Sequence, residues 1–79
     1  MGKSQYIVYI LMQTKAGKES GIAEKAMKFP GVSEAIPVYG EYDIVVRIEL
    51  KDLSILDQAV TQIRRISGVV RTTTLISKV

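Results

Sequence analysis

Two rhythms of apolar residues alternate along the chain, and the changes between them mark out six elements. Gln5 to Gln13 is almost continuously apolar, the pattern of a strand covered on both faces. Thr14 to Lys18 interrupts it with polar residues and Gly17. Over residues 18–28, Ile22, Ala23, Ala26 and Met27 recur at three-to-four spacing, which predicts a helix. Gly21 weakens that helix by about 1 kcal/mol relative to alanine. Phe29-Pro30-Gly31 ends it, because proline cannot continue the hydrogen-bond ladder and glycine accepts a positive φ.

Val32 to Tyr39 predicts a second strand. Pro37 has no N–H to give a ladder, so this strand belongs at an edge or carries a bulge. Gly40-Glu41 reads as a tight turn, and Tyr42 to Leu50 as the third strand of a hairpin. Ile44, Val46, Ile48 and Leu50 face one way along it, and Asp43, Val45, Arg47 and Glu49 the other. Asp52 supplies an N-cap for a second helix that runs to about Ile66. Leu53, Leu56, Ala59, Val60, Ile63 and Ile66 form its apolar stripe. Ser67-Gly68 stops it, and Val69 to Ser77 predicts a fourth strand. The order is βαββαβ. The chain also echoes itself: the FPGV ending at Val32 and the ISGV ending at Val69 lie 37 residues apart. Two βαβ units of equal length produce such an echo through geometry, without any duplication.

Two right-handed βαβ crossovers joined by a hairpin build a four-stranded antiparallel sheet with two helices on one face. This is the α+β, ferredoxin-like fold. It leaves the second sheet face bare. The first strand offers two rows, Tyr6, Val8, Ile10 and Met12 against Ile7, Tyr9 and Leu11, and both are apolar. The row Tyr6, Val8, Ile10 and Met12 is assigned to the bare face, where it predicts a homodimer packed sheet against sheet.

Composition narrows the function. Seventy-nine residues make a single domain, 1–79, and 47% hydrophobic content is generous for so small a core, which again points to burial against another subunit. There is no cysteine and no histidine, so disulfides, thiolate ligands and the commonest general base and metal ligand are all missing. The carboxylates form no close pair with an obvious reason to shift their pKa. Neither a catalytic residue, a metal site nor a cofactor is expected, and the chain does not read as an enzyme. The charge of +3, from 11 basic and 8 acidic residues, is spread along the chain rather than set in a stripe, the pattern of a solvated surface. An RNA-recognition reading needs aromatics on one face of the central strands, whereas Tyr6 and Tyr9 point to opposite faces. Ala16 to Gly21 lacks the spacing of a phosphate loop. The apolar run Tyr6 to Met12 follows Lys3 as a signal core would, yet it is β-branched and aromatic and leads to no cleavage pattern. No stretch nears the roughly 20 apolar residues of a membrane span, and a cytoplasmic location is expected.

What remains is a small-ligand module. Gly40-Glu41-Tyr42-Asp43 sets a flexible backbone, a phenol and a carboxylate at one end of a strand. Asp43 suits an ammonium, and free N–H groups at and near Gly40 suit a carboxylate. Thr72 and Thr74 present two hydroxyls on one face of the fourth strand. The same residues equally make a turn and a strand with good β-propensity.

The segment from Val38 to Asp52, VYGEYDIVVRIELKD, followed by ISGVVRTTTLI from Ile66 to Ile76, resembles the effector-binding (RAM) domain of the Lrp/AsnC feast/famine transcriptional regulators. The shared features are Gly-x-Tyr-Asp into an apolar strand, a helix, then Gly-Val-x-x-Thr-x-Thr. Full-length regulators of that family carry a helix-turn-helix domain ahead of this module. Here the first strand begins at residue 5, so the chain reads as a stand-alone RAM protein without direct sequence-specific DNA binding. The resemblance implies dimers formed through the sheets, further assembly into rings (octamer or decamer), and an amino-acid effector bound between dimers. Co-assembly with full-length regulators through the shared sheet interface is a further expectation. The positions matching the motif are Gly40, Tyr42, Asp43, Thr72 and Thr74, while Glu41 and Thr73 fall at variable positions. Two other readings stand beside it: a purely structural oligomerisation module without ligand, and an ACT-like regulatory domain.

Overall fold

The computed structural model describes residues 6–78; the polar lead of residues 1–4 and the Gln5 start expected for the first strand lie outside the described residues. The elements are β1 (Tyr6–Thr14), α1 (Glu19–Ala26), β2 (Val32–Pro37), β3 (Ile44–Leu50), a 3-10 turn (Leu53–Ile55), α2 (Leu56–Arg64) and β4 (Val69–Lys78). The strands form one antiparallel sheet in the order β2-β3-β1-β4. This is the α+β, ferredoxin-like arrangement, and β2 takes the edge that Pro37 requires.

One row of each central strand meets the helices. Val8, Ile10 and Met12 of β1 pack with Ile44, Val46, Ile48 and Leu50 of β3, beneath Ile22, Ala23 and Ala26 of α1 and Leu56 and Ile63 of α2. Each Val, Leu, Ile or Met side chain among them contributes about 1.5–3 kcal/mol on burial. The assignment of Tyr6, Val8, Ile10 and Met12 to the bare face is therefore overturned: Val8, Ile10 and Met12 are 0% exposed, and Tyr6 shares their row. The reason lies in β3. Its other row carries Arg47 and Glu49, charges that cannot sit beneath two helices without a large desolvation cost. Register then carries β1 along. Val8 opposes Ile48, Ile10 opposes Val46 and Met12 opposes Ile44, and directly opposed residues share a face. The open face belongs to Ile7, Tyr9 and Leu11, with Val45 beside Leu11 and Leu75 beside Tyr9.

Four expected boundaries also move. β2 stops at Pro37 and β3 starts at Ile44, so residues 38–43 form a six-residue connection instead of a two-residue turn. The second helix opens as a 3-10 turn. Asp52, in extended conformation, caps it by accepting the Ser54 N–H at 2.9 Å. α2 ends at Arg64, and Ile66 reaches the core from the following turn.

Gly68 fixes how that turn meets α1. Its φ is +101°, and a Cβ there would stand 3.0 Å from Ile22 Cδ1. Its carbonyl accepts the Lys15 N–H at 2.9 Å, tying the start of β4 to the end of β1.

Candidate functional site

The connection 38–43 is held from several sides. The Val38 N–H donates to the Asp43 carbonyl at 2.8 Å, closing the loop on itself. The Asp43 N–H donates to the Met12 carbonyl at 2.8 Å. The Thr14 N–H donates to Asp43 Oδ2 at 2.7 Å, so the aspartate side chain satisfies an amide at the end of β1. Gln13 Nε2 donates to the Glu41 carbonyl at 3.0 Å. Tyr42 Oη and Thr73 Oγ1 share a hydrogen bond of 3.1 Å, anchoring the turn to β4 across the open face.

Beside this turn lies a cleft of about 510 Å³, lined by Glu19, Ser20, Pro37, Val38, Tyr39, Gly40 and Asp43. Asp43 spends one oxygen on Thr14, and its Oδ1 has no partner among the described residues. Across from it stands the N-terminus of α1. No side chain caps that helix, and the first amides of a helix have no acceptor within it. Tyr39 stands fully exposed on the rim. The cleft thus offers a free carboxylate oxygen, the additional carboxylate of Glu19, and the donor end of a helix.

The five residues expected at a ligand site are divided by the fold. Gly40 and Asp43 line the cleft. Tyr42 turns away to Thr73 on the open face. Thr72 and Thr74 stand opposite Met12 and Ile10, on the helix side of β4. β4 and β2 are opposite edges of the sheet, so a single chain does not bring these hydroxyls to the cleft. Thr73, at a position that carried no inference, is the threonine in contact with the motif. Glu19, Ser20 and Tyr39 are cleft residues that sequence reasoning missed. Glu19 had one signal, its place in the first turn of α1, but only the packing of α1 beside the turn brings it there.

The open face carries a polar cluster. Arg47 pairs with Glu49 and donates to Ser33 Oγ at 2.9 Å, while Ser33 Oγ donates back to the Arg47 carbonyl at 3.2 Å. Glu49, and after it Tyr9, raise the Arg47 guanidinium above its ordinary pKa. At the far end of α1, a more apolar hollow is lined by Phe29, Pro30, Ile55, Gln58, Ala59 and Gln62. Among the described residues, no group of three or more carboxylates could hold a metal ion, and no helix is long and apolar enough to cross a membrane.

A family model described as the Lrp/AsnC ligand binding domain matches residues 7–78. The chain is 37% identical over 70 residues to the HTH-type transcriptional regulator FL11 of Pyrococcus furiosus, a match covering 89% of this chain and 46% of that protein. It therefore spans about half the length of that curated relative. It is 36% identical over 55 residues to a homocitrate synthase of Sulfurisphaera tokodaii, covering 70% of this chain and 12% of that enzyme. Among solved structures, hypothetical protein PHS023 of Pyrococcus horikoshii superposes with a TM-score of 0.86 at 43% identity, over 94% of this chain and 90% of that one.

Proposed function

Because the chain belongs to the Lrp/AsnC ligand-binding-domain family, we propose that it is an amino-acid-responsive assembly module and not an enzyme. The carrying observation is the pairing, across one cleft, of the free Asp43 oxygen with the uncapped N-terminus of α1. An α-amino acid carries an ammonium and a carboxylate on neighbouring atoms. Asp43 takes the ammonium, with Glu19 adding negative potential, and the first amides of α1 take the carboxylate. Backbone N–H groups near Gly40 remain a second place for it.

The open sheet face supports a homodimer. Leu75 is 50% exposed and Ile36 46% exposed on a surface continuous with Tyr9, Leu11 and Val45. A second copy packed there buries that surface, with Tyr9 and Leu11 in the interface in place of Val8, Ile10 and Met12, while Ile7 of the same row is already buried within the chain. Thr72, Thr74 and their edge strand reach a cleft only from a neighbouring subunit, which is how a larger ring would complete the site. An effector bound between subunits favours whichever assembly forms that site, by mass action. The similarity reaching into a homocitrate synthase as well as a transcriptional regulator suits a module that lends its response to different partners.

One observation favours a second reading, a structural module without ligand. Asp43, Tyr42 and Gln13 all have hydrogen bonds within the chain, enough to explain the motif as a fastened turn. Calorimetric titration with the twenty amino acids, with light scattering on the same samples, separates the two. Saturable binding of one or a few, with a change in assembly mass, supports the effector reading. A silent panel with a constant mass refutes it in favour of the structural one.

A further inference from the structure

The basic residues look dispersed in the sequence, but folding gathers six of the eleven at one place. α2 ends, α1 begins and β4 begins where β1 ends, since Val69 pairs with Thr14 and the Gly68 carbonyl holds the Lys15 N–H. Lys15 and Lys18 from the loop before α1, Lys25 in its last turn, Arg64 and Arg65 at the end of α2, and Arg71 on β4 border this region, and all but Lys15 line a hollow there. Three adjoining depressions cross this surface. Thr61, Arg64 and Arg65 line the first, and Arg64, Arg71 and Thr72 with Val69 and Val70 the second. Lys18, Lys25 and Ser67, with Gly17, Gly21 and Ile22, line the third. No carboxylate lines any of them, and none of the six cations has an ion pair among the described residues. Glu19 and Asp43 sit in the cleft beside the 38–43 turn instead.

We infer that this surface binds the phosphate backbone of a nucleic acid, without reading its sequence. The chemistry fits a string of phosphates better than one small anion, because the cations are spread over three hollows instead of converging on a point. Phosphate contacts draw on Arg, Lys and the hydroxyls of Ser and Thr, and Thr61 and Ser67 stand among the cations here. The arginines lie at the end of a helix and on an edge strand, a placement that suits contacts to phosphates. The inference does not depend on amino-acid binding.

Fluorescence anisotropy of a labelled, random-sequence 30-base-pair DNA duplex tests it. With six phosphate contacts, affinity falls roughly a thousandfold from 50 to 200 mM NaCl. The triple variant Arg64→Gln, Arg65→Gln, Arg71→Gln binds more than tenfold more weakly at 50 mM, and its salt slope drops by about 3. The control Lys28→Gln, Lys51→Gln removes two exposed lysines outside the patch and changes affinity less than threefold. If the triple variant does not fold, Lys18→Gln, Lys25→Gln, at exposed positions of the third hollow, takes its place with a slope change of about 2. Three results overturn the inference: no binding at 50 mM NaCl, equal losses in patch and control variants, or displacement of the duplex by poly-glutamate at equal charge. The last would make the partner an acidic protein.

Discussion

Asp43 has one structural task and one proposed task, and two substitutions pull them apart. Its Oδ2 accepts the half-buried Thr14 N–H at 2.7 Å, and the residue also lines the cleft. A hydrogen bond to a charged acceptor is worth about 1.5–3 kcal/mol, and Asp43→Ala also leaves the Thr14 amide without its partner. We predict a loss of about 2 kcal/mol for Asp43→Ala. At 4–8 °C per kcal/mol for a domain this small, the melting temperature falls by about 8–16 °C at fixed protein concentration. Asp43→Asn keeps an acceptor oxygen for Thr14 and costs about 1 kcal/mol or less. It removes the negative charge, however, and puts an N–H₂ group where an ammonium would sit. Its affinity for the amino acid found by titration therefore falls about thirtyfold or more, the equivalent of 2 kcal/mol. Thermal melting and calorimetry on the two variants provide the check. Asp43→Asn binding as tightly as the parent would refute the ammonium role, and Asp43→Ala melting with the parent would refute the structural one.

Other outcomes follow from the packing. Ile10→Ala empties a fully buried position between β1 and the helices and should cost about 2–5 kcal/mol in chemical denaturation. Gly68→Ala forces a side chain into positive φ and against Ile22, so a loss of about 1–3 kcal/mol is expected, and unchanged stability would contradict the close approach described. Leu75→Glu, on the open face, should leave the circular dichroism spectrum intact while lowering the assembly mass by light scattering, whereas Val8→Glu, in the core, should abolish folding. The reverse pattern would restore the original assignment of the two rows. Glu49→Gln breaks an ion pair whose carboxylate side is 42% exposed, and chain stability should change by no more than about 0.5 kcal/mol.

The sequence carried the element order, the edge position of β2 and the Asp52 cap, because each rests on a local signal: apolar period, a proline, a capping side chain. The phase of β1 was not local. Both of its rows are apolar, and which one lies under the helices depends on pairing with β3, whose Arg47 and Glu49 mark its outward row. Knowing β3's core row was possible from its alternation, but the register that transmits it to β1 has no mark in either strand alone. The width of the 38–43 connection escaped for a related reason. Tyr42 and Asp43 fit a strand by pattern, yet Asp43 uses its carboxylate on Thr14, and ladder pairing with β2 starts only at Ile44. The candidate site suffered most. Gly40 and Asp43 stood out as a motif, whereas Glu19 and Ser20 join them only because α1 begins beside the turn, and the threonine spacing could not show which hydroxyl meets Tyr42.

The fastening of the turn has a consequence for how the sheet chooses its alignment. A strand apolar on both faces gains little from one alignment over another shifted by a single residue, since either places hydrophobic side chains under the helices. For β1, polar contacts supply the missing discrimination. The Thr14 amide meets the Asp43 carboxylate, the Gln13 side chain meets the Glu41 carbonyl, and the Asp43 amide meets the Met12 carbonyl in only one alignment. A slip by one residue forfeits all three together. The turn acts as an end-stop, and substitutions that loosen it should show themselves as mixed populations of slipped strands as well as lower melting temperatures.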